Sequence, residues 1–363
     1  MRRPFDSLAR WPTALALLVL GLLAAIYLFL SRSERPGGPV PGGTPEPESG
    51  CIQAYFTDPG AGSAKSYRGG PDEDLARAID QARYSVDVAV LRLDLWSVRD
   101  ALIRAHRRGA TVRVVTDSDN LAEDEIGDLM AEGIEVEADG RDSLMHHKFV
   151  VIDGVEVWTG SMNLTVNGAY RNDNNLVRLR SPLIAEDYTR EFEEMFLEHR
   201  YGPLSRADTP HRVVEIEGSP VEVWFSPDDG VAARLAEMLR GAHEDIEIMA
   251  FAFTLDALES VVAERSGEGV RVRGVIEADQ AGDPGTELDF LRTMGVDQRL
   301  DGNPNSMHHK VIILDGAVVI TGSYNFSYNA EEINDENVLI IHNAELAAQY
   351  EGEFERVFGL ASR

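Results

Sequence analysis

Met145-His146-His147-Lys148-Phe149-Val150-Val151-Ile152-Asp153, closed by Gly160-Ser161-Met162-Asn163, returns 162 residues later as Met307-His308-His309-Lys310-Val311-Ile312-Ile313-Leu314-Asp315 and Gly322-Ser323-Tyr324-Asn325. The spacing is the same in both copies: His-x-Lys, four residues, Asp, six residues, Gly-Ser-x-Asn. A repeat of that period is the size of a domain. Its surroundings recur in the same order, with Ala54-Tyr55-Phe56-Thr57 answered by Val223-Trp224-Phe225-Ser226 and Val86 to Leu93 by Ile246 to Phe253. Val112 to Asp117 is likewise answered by Val270 to Glu277.

Phe149 to Ile152 and Val311 to Leu314 are apolar and rich in β-branched residues, so each motif opens on a strand. A period of two then puts His146 with Lys148, and His308 with Lys310, on one face. Elsewhere in the first half apolar strands alternate with amphipathic helices: Val86 to Leu93, Val98 to His106, Val112 to Thr116, Leu121 to Met130, and a last helix from Pro182 to His199. That order predicts an α/β fold of two similar halves, with helices packed on sheet faces. Gly202, Pro203 and Pro210 mark the junction.

Ahead of the repeat, Thr13 to Leu30 is 18 residues without a charge, ~27 Å of helix and close to a bilayer core. Arg2, Arg3 and Arg10 precede it and no small-x-small cleavage site follows, so we expect an uncleaved signal anchor, with secretion after cleavage as the alternative. The expected organisation is a cytoplasmic tail at 1–12, a transmembrane anchor at 13–30, a Pro/Gly-rich linker at 31–50, lobe one at 51–205 and lobe two at 206–363, the lobes extracytoplasmic. Cys51 is the single cysteine, so no intramolecular disulfide forms. The net charge of -28 opposes long-range capture of polyanions and marks an acidic, solvated surface.

A histidine beside an ammonium is an anion site, and the Gly-Ser-x-Asn turn adds a hydroxyl (Ser161, Ser323) and an amide (Asn163, Asn325) as neutral donors to phosphate oxygens. Of 34 basic residues only Lys65, Lys148 and Lys310 are lysines. Two of those three sit in the repeated motif, which points to a compact, rotatable ammonium that guanidinium does not replace. Asp153 and Asp315 stand an odd number of residues from the lysines, so they point off the anion site and support structure. His147 and His309 alternate to the other strand face and are read as packing or cleft-rim residues. A metal held by the His-His pairs is the rival; the adjacent lysine and the lack of a carboxylate cluster argue against it.

The motif resembles the signature of the phospholipase D superfamily over about residues 51–360. The resemblance implies two α/β/α lobes related by a pseudo-twofold axis, a single cleft, and no cofactor. It further implies that His146 attacks phosphorus while His308 serves as acid and then base, with Lys148, Lys310, Asn163 and Asn325 on the non-bridging oxygens. Asn334-Asp335-Glu336-Asn337 resembles the tail of the nuclease-like branch, whose glutamate orients a histidine; Glu336 lies 28 residues after His308. At the same distance from His146 stands Asn174, an amide. The expectation is therefore Glu336 behind His308, as the more basic imidazole, and Asn174 behind His146.

Substrate stays open between phospholipid and nucleic-acid diesters, with transfer of a phosphatidyl group to an alcohol as a third reaction. A membrane-tethered phosphate-binding module is the non-enzymatic alternative. Two lobes in one chain make a monomeric catalytic unit sufficient.

Overall fold

The computed structural model describes residues 50–282 and 288–362. The expected tail, anchor and nearly all of the linker lie outside the described residues, among which no helix is long and apolar enough to cross a membrane.

Strands β1 (Ile52–Phe56), β2 (Ser85–Val90), β3 (Thr111–Thr116), β4 (Glu135–Ala138), β5 (Lys148–Ile152), β6 (Glu156–Gly160) and β8 (Asn175–Arg180) form one sheet, in the order β1-β8-β6-β5-β2-β3-β4. Its repeat contains β9 (Val213–Ile216), β10 (Ser219–Ser226), β11 (Asp245–Ala250), β12 (Arg271–Ile276), β13 (Asp297–Leu300), β15 (Lys310–Leu314), β16 (Val318–Gly322) and β17 (Glu336–His342). The order there is β13-β12-β11-β15-β16-β17-β10-β9. The short segments β7 (Asn172–Asp173) and β14 (Ser306–Met307) pair in parallel and join the halves. In the first sheet the ends of β1, β2 and β6 and the starts of β5 and β8 lie at the same edge, since β2 pairs with β5 through Val90 and Lys148, and β1 with β8 through Phe56 and Asn175. Loops leaving that edge build the site, as expected for ligands at the carboxyl ends of strands in an open α/β sheet.

Both faces of each sheet are covered. Helices α1 (Pro71–Gln81), α2 (Trp96–Arg107) and α3 (Asp124–Ala131) pack outside the first sheet on Val86, Val88 and Val90. In the second half α6 (Val231–Arg240), α7 (Asp256–Gly267) and α8 (Leu288–Thr293) take that place, after the short α4 (Val166–Tyr170) and the longer α5 (Pro182–Phe196). Helix α9 (Tyr328–Glu332) is the counterpart of α4, and α10 (Ala344–Leu360) that of α5. The inner faces of the two sheets share one core with α5 and α10, where Tyr188, Phe192, Tyr350 and Phe354 are fully buried. Each such side chain contributes roughly 1.5–3 kcal/mol by leaving water. Arg113 bridges to the buried Asp87 across β2 and β3 and lies over Phe192, so even the charge on this inner face is paired and packed.

Helix α3 starts at Asp124 rather than at Leu121, because Asp117 caps a turn of 3-10 helix at Ser118–Asn120 through the backbone of Asp119. Asp153 and Gly154 both have positive φ and form the tight turn between β5 and β6, and Asp315 and Gly316 do the same between β15 and β16. The Asp153 carboxylate accepts from the backbone N–H groups of Arg83, Tyr84 and Ser85, and Asp315 from those of His243, Glu244 and Asp245. Both aspartates thus lash a hairpin to the end of a helix and face away from the lysines.

Burial alone would raise the Asp315 pKa, but the three backbone donors hold it below the usual carboxylate range. The stabilisation is accordingly complete above the ordinary carboxylate range and disappears as pH falls through the lowered value. Asp315→Ala is expected to cost roughly 2–4 kcal/mol, because three N–H groups lose a charged acceptor. Urea unfolding checks this, and a midpoint equal to that of the parent protein would contradict it.

Candidate active site

Lys148 and Lys310 open strands β5 and β15, and His146 and His308 stand two residues earlier, just outside the sheet. The backbone N–H of His146 donates to the Asp335 carbonyl at 3.0 Å, and that of His308 to the Asp173 carbonyl at 2.9 Å. Each motif is therefore pinned by the opposite half of the chain. Arg141 ion-pairs with the buried Asp335, and Arg356 with Asp173, so both clasps are charged.

The imidazole of His146 meets Glu336, with Nδ1 2.7 Å from either carboxylate oxygen. His308 Nδ1 meets the Asn174 Oδ1 at 3.0 Å and the Ser161 carbonyl at 3.1 Å. This reverses the expected partners: Glu336 stands behind His146, and Asn174 behind His308. The reason is the pseudo-twofold packing, in which β8 and β17 begin beside the other half's motif, so proximity in sequence misleads. Ser161 offers only an acceptor, which fixes the His308 proton on Nδ1, and Asn174 Nδ2 donates to the Gly168 carbonyl, which fixes the amide orientation.

The serines do something other than expected. Ser161 Oγ donates to Asn174 Oδ1 and accepts from Asn175 N; Ser323 Oγ donates to Glu336 Oε2 and accepts from Asn337 N. A hydroxyl has one proton, so in this arrangement neither serine has one left for phosphate. Gly160 and Gly322, at φ 150° and 155°, let the turn close against the carbonyls of Asn175 and Asn337, where a Cβ would collide.

Asn163 and Asn325 are placed alike: the Oδ1 of each is buried with no hydrogen-bond partner among the described residues. Lys148 Nζ donates to the His146 carbonyl at 2.8 Å, and Lys310 Nζ to the His308 carbonyl at 3.1 Å. Lys310 also lies over the Phe251 ring, which in turn packs on His308. Burial, joined by the charges of Lys148 and Lys310, holds the His146 imidazole well below its ordinary pKa. Burial, then Lys310, Lys148 and His146, does the same for His308. Ser161 of the first motif faces His308, and Glu336 joins His146 to Ser323 of the second, so the two motifs form a single site. Burial pushes the Lys148 ammonium down to about 7 and Glu336 up to about 7, the attraction between them opposing both shifts.

His147 and His309 are completely buried rather than at a rim. His147 Nε2 donates to Glu191 at 3.0 Å and its Nδ1 accepts from Asn337; His309 Nε2 donates to Glu353 at 2.8 Å and its Nδ1 accepts from Asn175. The carbonyl of Asn337 takes the hydroxyls of Thr159 and Tyr188 of the first half, and that of Asn175 takes Thr321 and Tyr350 of the second. Sequence reasoning passed over this set, although every member recurs at the 162-residue offset: Thr159 with Thr321, Asn175 with Asn337, Tyr188 with Tyr350, Glu191 with Glu353. Among the described residues no group of three or more His, Cys, Asp or Glu is placed to hold a metal ion.

A family model described as "Cardiolipin synthase, PLD-like domain" matches twice, at residues 75–196 and 235–358. The mitochondrial cardiolipin hydrolase of Chlamydomonas reinhardtii is 33% identical over 188 residues, 45% of this chain and 84% of that protein. A phospholipase D of Rickettsia conorii is 31% identical over 140 residues, 39% of this chain and 70% of that one. The crystal structure of phosphatidylserine synthase from Haemophilus influenzae shares the fold, with a TM-score of 0.62 over 85% of this chain and 87% of that chain at 14% identity. The repeated motif, the two matching segments and the crossed imidazole pockets together place this chain in the phospholipase D superfamily.

Proposed function

We propose that the chain hydrolyses a phosphodiester, a phospholipid before a nucleic acid, by two in-line displacements through a phosphohistidine. Family membership, with relatives named cardiolipin hydrolase and phospholipase D, makes it a phosphodiesterase-type hydrolase. The observation that carries the mechanism is the unequal support of the two imidazoles, Glu336 on His146 and Asn174 on His308.

With its Nδ1 proton given to Glu336, neutral His146 presents an unprotonated Nε2. As Nε2 bonds to phosphorus the ring gains positive charge, which the Glu336 carboxylate stabilises. The P–O bond to the leaving alcohol breaks, and its electron pair takes the Nε2 proton of His308, which enters this step as the imidazolium, the form that the negative charge of the bound phosphate favours. An amide behind His308 does not stabilise the imidazolium as a carboxylate does, so His308 is the better proton donor. Water then attacks phosphorus, gives its proton to His308, and the P–N bond opens to restore His146. Lys148, Lys310, Asn163 and Asn325 hold the non-bridging oxygens in the transition state, and Asn174 holds His308 in register.

The surplus of acidic residues supports a phospholipid over a long polyanion. A membrane tether at residues 13–30, as expected from the sequence, would also favour a lipid substrate.

Trapping of the phosphoenzyme by denaturation in alkali, where a P–N bond survives, followed by peptide mapping at alkaline pH, is expected to put the phosphoryl group on His146; a label on His308 reverses the two roles. His146→Asn and His308→Asn should each lower turnover of bis(4-nitrophenyl) phosphate by on the order of a thousandfold. The ratio kcat/KM on that diester should follow a bell centred near pH 7, its alkaline limb set by Lys148 losing its charge and its acid limb by Glu336 gaining a proton in the free enzyme. A profile flat from pH 6 to 9 would remove the lysine from phosphate binding. In a panel of phosphatidylcholine, cardiolipin, single-stranded DNA and RNA, a lipid should be the preferred substrate of the full chain; turnover of DNA or RNA alone turns the reading to a nuclease.

A further inference from the structure

The two lobes differ at the edge from which the site is built. In the second lobe β10 is followed by four residues, Pro227 to Gly230, before α6. In the first lobe the segment between β1 and α1 runs from Thr57 to Gly70 and contains its own 3-10 turn at Ala64–Ser66. Thr57 anchors this longer loop to the site, since its hydroxyl donates to the Asn172 carbonyl at 2.8 Å and its N–H to the Asn174 carbonyl at 3.0 Å.

Between the loop and α4 lies a cavity of about 250 Å³, lined by Lys65, Tyr67, Tyr170, Arg171 and Asn305 among others, and by no carboxylate. In a chain with 62 acidic residues that is unusual company for two cations. Most exposed arginines here are matched to an aspartate or glutamate, as Arg104 is to Asp80 and Arg107 to Glu132. Lys65 and Arg171 are in no ion pair among the described residues. Arg171 is instead held by neutral groups, Asn167 Oδ1 at 2.9 Å and the Tyr67 hydroxyl at 3.0 Å. Tyr67 and Tyr170 meet edge to face and give the cavity an apolar wall. On the opposite lobe the positions 162 residues beyond Tyr170 and Arg171 are Glu332 and Ile333, next to Glu331. One rim is cationic and aromatic; the other is acidic.

The cavity also has a definite position relative to the chemistry. Arg171 precedes Asn174 by three residues and Asn305 precedes His308 by three, through the paired segments β7 and β14. Three residues of extended chain span at most ~10 Å, which bounds the backbone path from the cavity to the Asn174–His308 pair. It lies on the His308 flank, the side from which the leaving alcohol departs in an in-line displacement.

We propose that Lys65 and Arg171 form a subsite for a second phosphate, borne by the leaving alcohol of a compact diester such as a bis-phosphatidyl lipid. The inference deepens the functional reading above and rests on its assignment of the acid to His308. Two cations in one cavity suit one further phosphate rather than a polymer. The substrate so selected loses an alcohol that carries a phosphate, while a diester with a neutral leaving group gains nothing from the subsite.

The test uses the full chain and the double variant Lys65→Gln/Arg171→Gln, with the single, exposed Lys65→Gln beside it as a check that any loss does not come from misfolding. Substrates are cardiolipin vesicles, phosphatidylglycerol vesicles matched for surface charge, single-stranded DNA and bis(4-nitrophenyl) phosphate. The expected result is a loss of about tenfold in kcat/KM on cardiolipin for the double variant, a smaller loss for the single one, and little change on phosphatidylglycerol or the nitrophenyl diester. An equal loss on both kinds of vesicle overturns the proposal in favour of general attraction to an anionic surface. A loss on DNA with none on cardiolipin overturns it in favour of a polynucleotide. Failure of the parent protein to turn over the nitrophenyl diester would count against the phosphodiesterase reading itself, whereas turnover with unchanged selectivity in the variants counts against the subsite alone.

Discussion

The acceptor behind the Nδ1 of each catalytic imidazole comes from the other half of the chain. The amides of Asn175 and Asn337 are each buried in the opposite lobe, the carbonyl taking two hydroxyls and the NH2 group serving a histidine. One residue earlier in each strand stand Asn174 and Glu336, which therefore arrive at the neighbouring lobe's histidine with no freedom of position. Separating the lobes would strand these buried polar groups, each at a cost of about 1–3 kcal/mol, besides opening the shared apolar core. Assembly of the lobes and assembly of the site are thus one event.

Electrostatics inside that assembly run against the surface. The exterior is strongly acidic, while two ammonium groups and two imidazoles share a buried space with one wholly buried carboxylate. Burial favours loss of protons from all four groups, and repulsion by neighbouring cations adds to it for both imidazoles and Lys310, so all four titrate below their ordinary ranges. An anion entering the site relieves that repulsion and restores charge to the lysines. The phosphate binding proposed above would thus be favoured by the site's own unfavourable charge distribution.

Much of this was readable from the chain. The duplication, the strand that opens each motif, the supporting part of Asp153 and Asp315 and the alternation of His147 and His309 to the other strand face all followed from spacing and the period of two. The crossing of partners did not, because Glu336 is 190 residues from His146 and only 28 from His308, and nothing in local pattern reveals which lobe a strand end will face. The hydroxyls of Ser161 and Ser323 were misassigned for a related reason: a serine beside an anion site can serve the ligand or the residue behind it, and only geometry distinguishes these. His147, Thr159, Tyr188 and Glu191 could have been found, since all of them return at the same offset with the same identity.

A dimer of two identical chains cannot place a glutamate behind one imidazole and an asparagine behind the other, because a twofold axis makes the equivalent positions the same residue. A single chain can, and this one does, with Asn174 and Glu336 in matching positions and an enlarged loop on one rim only. The cleft therefore has a polarity. Under the proposed assignment of roles, a substrate entering in one orientation would meet the carboxylate-backed imidazole and then the amide-backed one, and entering in the other it would meet them in the wrong order, which would make the cleft selective for one side of an asymmetric diester.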